Sequence, residues 1–200
     1  MKNTSNDDIN FNFSSVTETE YTTEDINNPP VILLYGEIND EMITEASAVL
    51  ISEQYNSDKP EKIKIFLNSP GGDLHSAFAF IELMKASSIP IETYALGQCV
   101  SAALFIFMAG SKGNRIVTKT CSAMSHTYST GVDGSHWDIQ DVQKELKNVQ
   151  EKIINHYMEY TGLPKATIMS KLIGKGDHWL KPEDLVKYNL ADKVGQISFD

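Results

Sequence analysis
The chain has 200 residues, 41% of them apolar, and a formal net charge of −10. That length suits one compact domain with a tail. The acidic balance argues against nucleic acid as a partner, because phosphate-backbone binding needs a basic footprint.

The first residues, MKNTSNDDINFNF, hold no apolar run of the signal-peptide kind. Residues 1–28 are rich in Asn, Ser, Thr, Asp and Glu and poor in aliphatics. They read as a flexible polar arm ahead of a domain over 29–200. VILLYGEI (Val31–Ile38) reads as a buried strand, and Asp40 as the cap of a helix reaching Tyr55, with Ile43, Ala46, Val49 and Leu50 at helical spacing. KIKIFL (Lys62–Leu67) predicts a second strand, NSPGG a turn, and Leu74–Ala86 a second helix. PIETYAL predicts a third strand, with a helix from Ser101 to about Ala109. The apolar stretch Ile91–Gly110 approaches membrane-span length, but Glu92 and Gln98 within it favour a buried strand–helix unit over a membrane segment. Short strands are expected at RIVT and SAMSH. Strand and helix alternate three times, which implies an α/β fold with a mostly parallel sheet.

After a glycine-containing loop, a long helix is predicted from Asp138 to Tyr160, about 33 Å from end to end. Ile139, Val142, Leu146, Val149 and Ile153 form a narrow apolar seam on an otherwise charged surface. The seam packs either on its own domain or, if the helix projects, on another subunit. KPEDLVKYNLAD reads as a short helix with Pro182 in its first turn.

Several residues could carry chemistry. Ser101 stands where the strand-like run gives way to the helix-like run, and it is either a helix cap or a nucleophile. NSPGG resembles a phosphate loop only weakly: no Gly-Lys-Ser/Thr follows, and Asp73 would repel a phosphate. Its alternatives are a tight turn needing positive φ or a set of N–H groups facing an oxyanion. The five histidines show no helical ligand spacing, so no metal is expected. His126 closes an apolar strand at the edge of the sheet, as a structural residue or as a base. Asp177 lies in the loop GKGDHWL, as a solvated loop acid or as a third member. Cys99 could act as a thiol nucleophile, but its place inside the apolar run favours a buried thiol. Cys99 and Cys121 make no disulfide framework, and reduced, cytoplasmic thiols are the default. A serine hydroxyl needs a base and an orienting acid to react at neutral pH; spacing alone does not bring the three together.

FLNSPGGDLHSAFAF, ALGQCVSAALFIFMAG, AMSH and GDHWLKPEDLVKYNLAD follow one another in this order. In these stretches, from about Pro30 to Ile197, the chain resembles the proteolytic subunit of the Clp protease, the ClpP family of serine peptidases. The resemblance implies a crotonase-like α/β superfold with a projecting handle over about 127–160. It puts the family's nucleophile, base and acid on Ser101, His126 and Asp177, and its oxyanion donors on the backbone N–H groups of Gly72 and Ala102. An extended polypeptide substrate would pair with Gly72, Asp73 and Leu74 and with Ser129, Thr130 and Gly131. It implies no cofactor, a homo-oligomer (heptamer or tetradecamer), and feeding by a Clp-type ATPase unfoldase.

The chain departs from the family pattern in three places. The arm before Pro30 is unlike the family's axial segment. Gly176 stands where the family usually has an arginine at the ring–ring contact. Lys64 replaces an aromatic of the pocket for the ATPase loop, while Phe66 is kept. These departures would suit a divergent, phage-type member. Two rival readings follow from the same residues: a crotonase-type acyl-CoA enzyme, and a ring subunit that is inactive or works as a maturation protease without an ATPase.

Overall fold
The computed structural model describes residues 29–128, 131 and 135–198; the polar arm expected over 1–28 lies outside the described residues. The elements, in chain order, are β1 (Val31–Tyr35), α1 (Asp40–Tyr55), β2 (Ile63–Ser69), α2 (Leu74–Ala86), β3 (Ile91–Val100), α3 (Ala102–Met108), β4 (Arg115–Val117), β5 (Ser122–Ser125), α4 (His136–Thr161), α5 (Lys165–Lys171), β6 (His178–Leu180), α6 (Pro182–Lys187) and β7 (Lys193–Val194). The strands form one sheet in the order β1-β2-β3-β4-β7, with β5 on β3 and β6 on β5. Every pairing is parallel except β5 with β6. The fold is therefore the α/β class with the mostly parallel sheet that the alternating pattern implies.

Strand β3 is the axis of the design. Its first half, Thr93–Ala95, pairs with β4, and its second half, Gln98–Val100, pairs with β5. The change of partner falls at Gly97, whose φ of 43° is open to glycine at little cost. Helix α3 is buried along its whole length, from Ala102 to Met108, as a helix apolar on every side must be. It sits in the main core between the sheet and α2 and α4, beside Phe80, Ile153 and Tyr157. Among the described residues no helix is long and apolar enough to cross a membrane.

The structure corrects the sequence reading in several places. Helix α1 is capped by Asn39, whose Oδ1 accepts the Met42 N–H at 2.9 Å; Asp40 is its first residue and instead accepts the Ser76 hydroxyl at 2.5 Å. β1 is an edge strand rather than a buried one, with Val31, Leu33 and Tyr35 facing outward. α4 is longer than expected. Ser135 and Asp138 form a capping box at its start, and Gly162, at φ 69°, ends it. Its seam divides: Val149 and Ile153 are buried on the domain, Val142 and Leu146 are half-buried, and Ile139 is exposed.

α4 also carries His156. Its ring lies among Phe78, Phe105 and Tyr160, and its Nε2 donates to the Phe105 carbonyl at 3.0 Å. Burial pushes this imidazole down to about 4 from its ordinary 6.5. Between those two values the unfolded chain takes a proton that the folded one refuses, so stability falls as pH falls through that window, by up to about 3 kcal/mol. Thermal unfolding at pH 7 and pH 4.5 should show a smaller acid loss for His156→Gln, whose amide keeps a donor for Phe105, than for the parent chain. An equal acid loss in both would assign the effect to other groups.

Candidate active site
Strand register brings the expected residues to one place. Val100 on β3 pairs with Met124 on β5. Ser101 follows Val100, and His126 comes just after the end of β5, two residues beyond Met124. The antiparallel partner of Ser125 on β6 is His178, so Asp177, one residue earlier, lies opposite His126. On the other side Ser69 of β2 pairs with Cys99 of β3, which carries the NSPGG turn to the same edge.

The side chains meet there. His126 Nε2 and Ser101 Oγ are 2.7 Å apart and hydrogen-bonded. On the far side of the ring, His126 Nδ1 is 3.4 Å from Asp177 Oδ1, and the Asp177 side chain is 56% exposed. That is an ion-pair separation, looser than a hydrogen bond, and catalytic contacts of this kind commonly tighten only around substrate.

The two readings of Ser101 separate here. It occupies the N-cap position of α3, yet its side chain makes no capping hydrogen bond. Its backbone is at φ 55° and ψ −122°, a conformation that costs a residue with a Cβ on the order of 1–3 kcal/mol. The cost is met by the backbone around it: Ser101 N–H donates to the Met124 carbonyl at 2.9 Å, and its carbonyl accepts from Leu104 at 2.9 Å. The strain turns the hydroxyl away from its own helix and toward His126.

The NSPGG turn lies against this junction. A Cβ on Gly71 would stand 2.7 Å from the Val100 carbonyl, 2.8 Å from the Ser101 Cβ and 3.2 Å from the Ala102 nitrogen. Only glycine fits, which makes Gly71 a site residue that the sequence reading passed over. Its signal was present in the doubled glycine, but which backbone approached it was not. Gly72, at φ 149°, packs on the Ile38 backbone. No hydrogen bond among the described residues occupies the N–H of Gly72 or of Ala102. Asp73 is the cap of α2: its carboxylate accepts the Ser76 N–H at 2.6 Å and its hydroxyl at 2.7 Å. The Ser76 N–H, ahead of the smaller upward push of burial, holds Asp73 below the usual carboxylate range.

A cleft of about 330 Å³ opens at this edge, lined by Gly72, Asp73, Leu74, Ser101 and His126. Its remaining wall is Thr127, Tyr128, Leu146, Val149 and His75, none of which the sequence reading had set at the site. The seam on α4 held the signal for two of them: Leu146 and Val149 face the cleft. Tyr128 donates its hydroxyl to the Leu146 carbonyl at 3.3 Å. Ser129 and Thr130 lie outside the described residues, and Gly131 is exposed. Cys99 is fully buried and its thiol is pushed well up by burial; burial likewise raises Cys121 to about 12. Neither is a thiolate at neutral pH, whereas the Ser101 hydroxyl is hydrogen-bonded to an imidazole. A larger cleft of about 750 Å³ lies by Arg115 and Asp192, but those two already neutralise each other at 2.6 Å.

Gly176 has a φ of 92° with open space around it. A side chain there would be strained by the backbone rather than by crowding, so the loop before Asp177 takes a path that glycine alone adopts freely.

The family model that matches this chain is described as Clp protease and covers residues 16–198. The ATP-dependent Clp protease proteolytic subunit of Deinococcus radiodurans is 29% identical over 140 residues, which span 70% of this chain and 68% of that protein. The ATP-dependent Clp protease proteolytic subunit 1 of Chlamydia felis is 30% identical over 165 residues, spanning 82% of this chain and 79% of that protein. With a serine and a histidine joined at the edge of a crotonase-like sheet and a family match over all of its described length, the chain belongs to the Clp protease family of peptidases.

Proposed function
We propose that the chain is a serine endopeptidase in which Ser101 attacks the peptide carbonyl, His126 takes its proton, and Asp177 orients the imidazole. The observation that carries this reading is the 2.7 Å bond between Ser101 Oγ and His126 Nε2, made by a serine that declines to cap its own helix. His126 holds the hydroxyl proton as the tetrahedral adduct forms and returns it to the leaving amine. Asp177 fixes the tautomer that leaves Nε2 free to accept, and its charge stabilises the imidazolium. The N–H groups of Gly72 and Ala102, which donate to nothing among the described residues, supply the oxyanion donors, fixed in place before the charge develops. An extended polypeptide lies along Gly72–Leu74 on one side and the segment from Ser129 to Gly131 on the other. Main-chain pairing of that kind selects for extended shape more than for sequence.

The relatives are named as subunits of an ATP-dependent protease. We extend that to this chain: it assembles with copies of itself into a heptameric ring or a pair of rings, and a Clp-type ATPase feeds it unfolded polypeptide. The N-terminal end of α4 supports the assembly, because Trp137 is 72% exposed and Ile139 is 38% exposed on a helix that is otherwise charged there. Leu146 is the less suitable place to test the contact, since it lines the cleft.

A fluorophosphonate probe should label Ser101 alone, and Ser101→Ala should lose peptide hydrolysis by on the order of 10⁴–10⁶ with unchanged thermal unfolding. Labelling at either cysteine, or activity surviving in the alanine variant, would end this assignment. His126→Ala should lose hydrolysis to a comparable extent with unchanged thermal unfolding; parental activity in that variant would remove His126 as the base.

Trp137→Asp would bury a charge in the subunit contact, a cost of several kcal/mol. Sedimentation velocity should show a smaller assembly for that variant than for the parent chain. Identical sedimentation would take the end of α4 out of the contact.

A further inference from the structure
The turn that carries Gly72 lies beyond the end of β2 at Ser69 and beyond the last β1–β2 pair, Tyr35 with Asn68. What holds it is Ile38, on the short lead-in to α1. Ile38 N–H donates to the Gly71 carbonyl at 2.8 Å, and the Ile38 carbonyl accepts from Asp73 N–H at 2.8 Å. Together these make one parallel bridge between Ile38 and Gly72. The Gly71–Gly72 peptide is trans. Its N–H, that of Gly72, therefore points opposite to the carbonyl that Ile38 holds. Ile38 thus aims the Gly72 N–H away from itself, and the cleft beside Ser101 is lined by Gly72. The bridge leaves no room between its halves: a Cβ on Gly72 would stand 2.2 Å from the Ile38 carbonyl oxygen and 2.8 Å from its nitrogen.

Two hydrogen bonds are a slender hold on two successive glycines, both at positive φ, since glycine gives the backbone its greatest freedom. A further tie lies just downstream. Ser76 is buried in the first turn of α2. Its hydroxyl lies 2.5 Å from Asp40 Oδ1 on α1 and 2.7 Å from Asp73 Oδ1. One proton is shared between two carboxylates, in hydrogen bonds of the strong, charge-assisted kind. Asn39 already caps α1, which leaves the Asp40 carboxylate for this tie. The bonds close a circuit: Ile38 to Asp40 along one segment, Asp73 to Ser76 along the other, joined at both ends. Leu74 and His75, inside the circuit, line the cleft with Gly72.

We propose that Asp40 is a positioning residue for the oxyanion donor: by holding Ser76, it locks the lead-in of α1 against the glycine turn and keeps the Gly72 N–H on its aim. Asp40 is not part of the cleft lining and acts only through the circuit. A donor fixed before charge develops favours the transition state over the bound substrate. Loosening the circuit therefore slows the chemical step and leaves substrate binding as it was. This inference rests on the oxyanion role given to Gly72 under Proposed function.

Steady-state hydrolysis of a fluorogenic peptide by the full chain tests it. Asp40→Ala should lower kcat by about tenfold with KM unchanged, a part of the roughly 10²–10³ lost with a whole oxyanion donor. Asp40→Asn keeps an oxygen for the Ser76 hydroxyl and should recover most of that loss. Ser76→Ala should match Asp40→Ala, and the double variant should be no slower than either, as for two partners of one interaction. A peptide boronic acid, whose adduct on Ser101 is tetrahedral, should bind Asp40→Ala more weakly by the same factor as kcat falls. Ser101→Ala and Ser101→Ala/Asp40→Ala should bind the uncleaved peptide equally. Hydrogen exchange gives a readout free of catalysis: the Asp73 amide, bonded to Ile38, should exchange faster in Asp40→Ala. Unchanged kcat in Asp40→Ala, with Ser101 still labelled by fluorophosphonate, would overturn this inference and leave the serine assignment standing. So would a loss carried by KM, or one that Asp40→Asn fails to recover. A parent chain whose Ser101 takes no label would overturn both.

Discussion

Everything at the candidate site depends on the pairing of the second half of β3 with β5. That ladder sets Val100 beside Met124, and the placement of Ser101 and His126 follows by counting one and two residues onward. The β5–β6 pairing, with Ser125 opposite His178, brings Asp177 to the far side of the imidazole by the same arithmetic. The β2–β3 pairing at Ser69 and Cys99 brings the glycine turn. Side chains alternate along a strand, so a slip of one residue in any of these ladders would turn a whole set to the wrong face. Tyr157 of α4 guards the critical one. Its hydroxyl and that of Ser125 lie 2.5 Å apart inside the core, one residue before His126.

Within that frame, the strain at Ser101 and the bareness of Gly71 are two sides of one fit. Ser101 takes a left-handed φ because its N–H follows the sheet, to Met124, while its carbonyl starts α3. The turn brings its backbone so near that a methyl group at position 71 would meet Ser101 and Ala102. Sheet, helix and turn each supply one boundary condition, and the hydroxyl has one direction left, toward His126. The stability needed to hold this comes from α3, buried over all of its residues and anchoring the junction to the core.

Much of this was legible in the sequence, and the reasons differ by residue. The alternation of strand and helix was carried by apolar periodicity, which is local, so α2 and the class of fold were read directly. Ser101, His126 and Asp177 were legible as types at element ends, and the ordered motifs of the ClpP family joined them, which spacing alone could not do. What escaped is what only three dimensions supply. Asp40 looked like a cap, but Asn39 one residue earlier makes the bond. VILLY looked buried on both faces because an edge strand and a central one share an apolar composition; only its neighbours decide. Gly71, Tyr128, Leu146 and Val149 became site residues through contacts across the fold. Lys64 was legible as a departure from the family, yet not that its ammonium would be buried and bound to the carbonyl of Ser198.

The dispersal of the site over β3, β5 and the loop before β6 has a consequence for the life of the chain before it folds. A nascent chain emerging from the ribosome holds Ser101 long before His126 and Asp177 are made, and the three stay apart until non-local strands have paired, a late event in folding. On the proposed assignment, no unfolded or half-folded copy has a working centre, and a cell making this peptidase exposes its other nascent proteins to no cutting edge during synthesis. The fold is its own safety catch: hydrolytic power and a completed sheet arrive together, and whatever unpairs β5 from β3 disarms the chain in the same step.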